Sequence, residues 1–334
     1  MSENPLDSHL LPDVIERQQA ALKTLPVNLA DITLAQYRLK TYLSPTPLEF
    51  ESGLPNSVWL KLENLNPMRS FKVRGALNAM LALTPEARGR GLVAASSGNH
   101  AQGIAYAAKL LGASAQIVMP EVAPKRKIEG VKRLGGTVIL RGDYDTMEIE
   151  AHRLEREHGW TYISPYADVK VIAGAGTIGL EMIERAPDVQ RVIVPVGGGG
   201  LISGIAVALK TFKPTVQIIG VNAAVSPDMY NLFYGKDLPL SHETLADALP
   251  GAIEETSPTR EIVKALVDEI VLVDEDAIQS AMRWFYETHG LIGEGGGVVG
   301  IAAMLSGVIP QSNDNTVIVV SGGNVDTDTL KRVL

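Results

Sequence analysis

Short runs rich in β-branched residues alternate along the chain with longer stretches whose apolar positions recur at helical spacing. The pattern predicts strands over residues 58–62, 92–96, 115–119, 137–140, 191–196, 216–221, 270–273 and 316–321. Helices are predicted over 28–43, 73–83, 101–111, 125–134, 146–158, 177–184, 201–211, 275–289 and 298–306, with Pro45 and Pro47 closing the first. Strand and helix in this rhythm imply parallel sheet with crossover helices, the α/β class. A compact βαβα block over residues 91–162 predicts a small domain inserted in a larger one made of residues 1–90 and 163–334. Residues 1–25 are an N-terminal extension, either a packing helix or an interface arm.

Composition narrows the classes. A chain of 334 residues with 46% hydrophobic and 20% charged content has room for a substantial buried core. The net charge of −8 disfavours a phosphate-neutralising nucleic-acid surface. No apolar run reaches the ~18 residues a membrane span requires. Residues 1–7 carry two acids and lack a signal-peptide pattern, so a cytoplasmic protein is expected. With no Cys in the chain, disulfides, thiolate metal sites and a Cys nucleophile are excluded. The six His residues show no metal-ligand spacing, and no metal site is expected.

Candidate chemistry begins at Lys72, in Ser70-Phe71-Lys72-Val73-Arg74-Gly75-Ala76, between a predicted strand and a predicted helix. An amine held short of water at such a turn has a lowered pKa and becomes a candidate Schiff-base nucleophile. Glycine clusters follow. Two stretches, Gly174-Ala175-Gly176-Thr177-Ile178-Gly179 and Gly295-Gly296-Gly297-Val298-Val299-Gly300, fit the G-x-G-x-x-G pattern of dinucleotide sites. Neither has an acidic residue at the end of the next strand to hold a ribose hydroxyl, so both are expected to serve turns and close helix packing. An NAD-dependent oxidoreductase is disfavoured accordingly.

Gly197, Gly198, Gly199 and Gly200 stand directly between a predicted strand and an apolar helix. Such a loop can turn backbone N–H groups towards a phosphate without using side chains. Ser96, Ser97, Gly98, Asn99 and His100 lie at another strand-to-helix turn, where small polar groups at a positive helix end suit an α-carboxylate. Ser97 or Asn99 could equally be the N-cap of that helix. Ser321-Gly322-Gly323-Asn324 follows the last predicted strand, where ligands of open α/β sheets sit.

These clusters, in this order from about residue 43 to 326, resemble the fold-type II pyridoxal 5′-phosphate (PLP) enzymes, which share the fold of the tryptophan synthase β-subunit. The nearest likeness is to the threonine/serine dehydratase (ammonia-lyase) and serine racemase branch. The resemblance implies two open parallel-sheet α/β domains with PLP in the cleft between them. It implies that Lys72 carries PLP and acts as general base, that Gly197, Gly198, Gly199 and Gly200 hold its phosphate, and that Asn99 bonds the ring oxygen. Phe71 would pack beside the ring, Ser321 would meet the pyridine nitrogen, and Ser96 to His100 would bind the substrate carboxylate. A neutral hydroxyl at the ring nitrogen suits rapid loss of a β-leaving group.

The implied reaction is β-elimination from an L-β-hydroxy amino acid, threonine or serine, to a 2-oxo acid and ammonia. Ser97, facing the other side of Cα, would make racemisation a competing outcome. A serine or aspartate racemase and a 3-hydroxyaspartate dehydratase are alternatives on the same scaffold. The family also implies a homodimer or homotetramer.

The chain departs from the family pattern at four places. Met68-Arg69 replaces a Thr-Gly pair before Ser70, and Glu294-Gly295-Gly296-Gly297 replaces Glu-Pro-Ser-Gly. Asn222 stands where related racemases have an acid that helps bind a divalent cation, which argues against such a site between Asn222 and Asp228. With Leu334 as its last residue, no regulatory domain and no feedback inhibition through one are expected.

Overall fold

The computed structural model describes residues 12–54, 57–143 and 146–334. The segment 1–7 therefore lies outside the described residues. Six strands, β1 (Leu48–Glu51), β2 (Val58–Leu62), β7 (Arg191–Pro195), β8 (Gln217–Ala223), β9 (Glu269–Val273) and β10 (Thr316–Val320), form one sheet in the order β1-β2-β10-β7-β8-β9. Four more, β3 (Leu92–Ala95), β4 (Ala115–Met119), β5 (Thr137–Leu140) and β6 (Thr161–Tyr162), form a second in the order β5-β4-β3-β6. All pairings are parallel except β1 with β2. The central strands β4, β7 and β10 are buried at every position, which is why they read as unbroken apolar runs. β1 has no counterpart among the predicted elements. Its Leu-Glu-Phe-Glu sequence has two exposed central positions, and only pairing with β2 makes it a strand.

The helices are α1 (Pro12–Ala21), α2 (Leu29–Leu39), α3 (Lys72–Ala82), α4 (Pro85–Arg90), α5 (Asn99–Leu111), α6 (Lys125–Arg133) and α7 (Met147–His158). They continue with α8 (Val169–Arg185), α9 (Gly200–Phe212), α10 (Asp228–Tyr234), α11 (Pro258–Leu266), α12 (Glu275–His289), α13 (Gly295–Leu305) and α14 (Thr327–Val333). Asn28 caps α2 with a full capping box completed by Asp31. α1 settles on the large sheet's helices, where Gln18 donates to Asp268 and Gln19 to the Lys210 carbonyl. Among the described residues no helix is long and apolar enough to cross a membrane.

Neither G-x-G-x-x-G stretch is a strand-to-helix turn. Gly174, Gly176 and Gly179 lie inside α8, which starts at Val169 on an Asp168 cap, eight residues before its predicted start. A Cβ on Gly174 would stand 2.7 Å from the Arg74 carbonyl oxygen, and one on Gly179 2.8 Å from Ala208 Cβ. These glycines let α8 touch α3 on one side and α9 on the other. Gly295, Gly296 and Gly297 form the first turn of α13.

One core cluster unites Leu39, Leu43 and the Val73–Met80 side of α3 with β3, β4 and α5. The small sheet therefore takes helical cover from residues that precede 91 in sequence. α3 packs against both α5 and α8, and its first residue, Lys72, stands where the two sheets' layers meet.

Candidate active site

β2 runs into a short 3-10 turn (Glu63–Leu65) and then a loop that delivers Lys72 to the start of α3. That loop is tied to the one after β10: Phe71 N–H donates to Ser321 O (3.0 Å), Gly323 N–H to Arg69 O (2.8 Å), and Asn324 Nδ2 to Met68 O (2.8 Å). Arg69 adopts φ of 53°, a left-handed conformation that disfavours any residue with a Cβ. Lys72 Nζ donates to Pro165 O at 2.7 Å and lies 5.2 Å from the centre of the half-buried Phe71 ring. The side chain keeps some surface in the cleft, but protein surrounds its amine. Desolvation lowers its pKa from 10.5 to about 8, and the Glu294 carboxylate limits the fall.

Ser96, Ser97, Gly98 and Asn99 are half-buried at the entry to α5. The N-cap is Gly98 and no side chain caps the helix, so the capping role allowed for Ser97 or Asn99 is corrected. Asn99 is drawn away from its own helix by partners in distant segments. Its Nδ2 donates to Glu294 Oε1 (2.6 Å) and its Oδ1 accepts from Asn324 Nδ2 (2.8 Å). The first N–H groups of α5 thus lack a side-chain cap, as an anion-binding helix end requires. His100 is buried with Nε2 2.9 Å from Ile163 O, an acceptor, so Nε2 carries the proton. Burial, and then the Lys72 charge, lower its pKa to about 3, and the ring stays neutral. Its Nδ1 is buried without a partner among the described residues.

Gly197 to Gly200 form the turn from β7 into α9, with Gly199 at φ of 87° as an N-cap that offers no side chain. A Cβ on Gly197 would lie 2.7 Å from Leu249 O, and one on Gly198 would strike the Tyr166 ring. The loop therefore presents only backbone to the cleft. Ser321 is buried with its N–H on Gly297 O at 3.2 Å, a contact possible because Gly297 has no side chain to meet the 321–323 loop. Glu294 lies beside it. Burial first, and then Asp247, raise its pKa from 4.5 to about 7, although Asn324 N–H and Asn99 Nδ2 both donate to it.

Arg74, two residues past Lys72, is buried in a cluster of opposite charges. It reaches Glu63 at 2.8 Å and Glu181 at 2.5 Å, and Lys61 reaches Glu181 at 2.5 Å. Asn222 is fully engaged in the fold, with Nδ2 on Val196 O (2.7 Å) and Oδ1 accepting from Tyr230 N–H (3.0 Å). No group of three or more His, Asp or Glu among the described residues is arranged to hold a metal ion.

The cleft thus gathers the segments around Lys72, Asn99, Gly198 and Ser321, and adds Glu294, Pro165, Tyr166 and Thr259. The last three were not legible in the sequence. Pro165 and Tyr166 carry one signal, position: they come three and four residues after β6 ends, beyond the carboxyl end of a parallel strand, where ligands of such sheets lie. A buried amine of lowered pKa suits an aldehyde, and an uncapped glycine loop at a helix start suits a phosphate dianion. Together these residues fit pyridoxal phosphate.

Residues 39–322 match the family described as pyridoxal-phosphate dependent enzyme, and the chain belongs to that family. Its fold is the fold-type II architecture and its cofactor is pyridoxal phosphate. The chain is 44% identical over 323 residues to a catabolic L-threonine dehydratase of Staphylococcus aureus, covering 92% of each. Among solved structures it is similar to maize serine racemase, with 36% identity, a TM-score of 0.86, and 92% and 96% of the two chains covered. It is also similar to the processed form of a threonine deaminase from Solanum lycopersicum, with 34% identity, a TM-score of 0.82, and 97% and 88% covered.

Proposed function

We propose that this chain is an ammonia-lyase that converts an L-β-hydroxy amino acid, threonine or serine, into a 2-oxo acid and ammonia. The observation that carries this reading is the Lys72 amine, desolvated to a pKa of about 8 and bonded to the Pro165 carbonyl, with the uncapped start of α5 nearby. At pH 7 about a tenth of such an amine is unprotonated, against well under a thousandth at the ordinary lysine value. The similarity to the S. aureus dehydratase supports the choice of substrate class.

In this reading Lys72 carries the cofactor and, when its amine is free, takes the Cα proton of the substrate. The cofactor, when bound, supplies the aldehyde that the amine captures and the electron sink for charge left at Cα. Gly197, Gly198, Gly199 and Gly200 hold the phosphate through backbone N–H groups, while Phe71, Asn99 and Ser321 flank the ring. Ser96 to His100 bind the substrate carboxylate at the positive end of α5. Ser97 is the opposite-face proton group and the root of any racemisation. We further infer a cytosolic homodimer or homotetramer, which light scattering on the purified protein would read directly.

The purified protein is expected to be yellow, with a Schiff-base band that borohydride removes while fixing the label on Lys72. Lys72→Ala should abolish both the band and ammonia release. Ammonia release and chiral analysis across threonine, serine and 3-hydroxyaspartate set the substrate. A wild-type protein that takes up no PLP, or racemises faster than it eliminates with every substrate, overturns the assignment.

A further inference from the structure

Tyr166 belongs to none of the sequence motifs, yet it joins three parts of the site. One residue before it, Pro165 O accepts the Lys72 amine at 2.7 Å. Its ring lies on the four-glycine loop so closely that a Cβ on Gly198 would sit 2.6 Å from Cδ1 and 2.7 Å from Cδ2. A Cβ on Gly200 would sit 3.0 Å from the Tyr166 backbone. The phenol then reaches a third segment, donating to Ala252 O at 3.3 Å and accepting from Glu254 N–H at 3.1 Å. Burial raises its pKa above the ordinary tyrosine value, so the hydroxyl remains a donor throughout the working range.

The segment tied by the phenol leads straight to Thr259, whose hydroxyl donates to Gly198 O at 2.8 Å. In a planar trans peptide the C=O of Gly198 and the N–H of Gly199 point to opposite sides. Holding that carbonyl on Thr259 therefore fixes the direction of the Gly199 N–H. The loop is gripped from two sides, by the Tyr166 ring on Gly198 and by Thr259 on the Gly198 carbonyl. Both grips meet in residues 252–259.

We propose that Tyr166 is a positioning residue for the phosphate-binding loop: its ring seats Gly198, and its hydroxyl anchors the segment that orients the loop's peptide planes. The inference rests on the reading of residues 197–200 as the phosphate cradle. Tyr166 itself need not touch the cofactor. Tyr166→Phe keeps the ring against Gly198 and removes both hydroxyl bonds, which together correspond to about a tenfold change in an equilibrium.

The test compares PLP with pyridoxal, which has the aldehyde and ring but no phosphate. Apo-protein titrated with each, followed by the Schiff-base absorbance, gives the two affinities; dilution of the holoenzyme gives the rate of PLP loss. In the Phe variant PLP is expected to bind about tenfold more weakly and leave faster, with pyridoxal unchanged. Unaltered PLP binding overturns the proposal, and so does equal weakening of both ligands, which would mark a general loosening. A wild-type protein that fails to bind PLP sinks the underlying assignment as well; a normal Phe variant beside a PLP-binding wild type sinks this inference alone.

Discussion

At the scale of single residues, the cleft holds an amine lowered to about 8 and a carboxyl raised to about 7. Burial drives both shifts, and each group's hydrogen-bond partners lie on segments distant in sequence: the Lys72 amine donates to Pro165 O, while the Glu294 carboxyl accepts from Asn99 and Asn324. Glu294 has a consequence for stability. Because its pKa in the fold lies above the ordinary 4.5, the native state binds that proton more tightly than the unfolded chain. The resulting stability is complete below about pH 4.5 and is lost as pH rises to about 7, an effect of up to about 3 kcal/mol. The melting temperature of the apo-protein should therefore fall between pH 5 and pH 7.5 more steeply for wild type than for Glu294→Gln. Parallel slopes for the two proteins would rule out this account of Glu294. Lys72 contributes little to that window: its titration in the fold is centred near pH 8, and its lowered pKa makes stability rise with pH there, opposite in sign to Glu294.

At the scale of elements, the glycines of α8 and α9 set how closely two helices approach. A Cβ on Gly204 would meet the Ile172 carbonyl and stand 2.5 Å from Gly176 N, both backbone atoms that no rotamer change can move. Gly→Ala inside a helix ordinarily stabilises by about 1 kcal/mol through propensity. Here overpacking dominates, and Gly204→Ala should destabilise by about 3 kcal/mol in urea unfolding. A gain in stability would show that the helices can separate freely. The G-x-G-x-x-G spacing in α8 was visible in the sequence, and the missing ribose acid argued against a dinucleotide. Its actual partners, Arg74, Gly204 and Ala208, lie tens of residues away on other helices, so no local pattern could name them.

At the scale of the whole molecule, four buried charges bind the lysine-bearing helix to the large sheet. Lys61 comes from β2, Glu63 from the turn after it, Arg74 from α3 and Glu181 from α8. Burial alone would push the Glu63 carboxyl up, but Arg74 and Lys61 outweigh it and its pKa falls below the ordinary range. Arg74→Met leaves two buried carboxylates facing one ammonium, and a broken buried pair costs about 3–5 kcal/mol. Denaturant unfolding of the apo-protein should register that loss. A cost below 1 kcal/mol would mean that the cluster rearranges without the guanidinium.

By itself the sequence determined the α/β class and most strand cores, and it marked four candidate segments at strand-to-helix turns. Those features are written locally, in β-branched runs, helical periodicity and glycine or small polar residues at strand-to-helix turns. Lys72, Asn99, Gly198 and Ser321 stood out as candidates at such turns, and the roles proposed for them rest on the resemblance to the PLP family. Only the tertiary structure decided what surrounds them: the Pro165 carbonyl on the lysine, the Glu294–Asn99–Asn324 bonds, the Tyr166 ring on Gly198 and the ion cluster behind α3. Each joins residues far apart in the chain. Desolvation and charge pairing depend on distance in space, which a linear pattern does not encode.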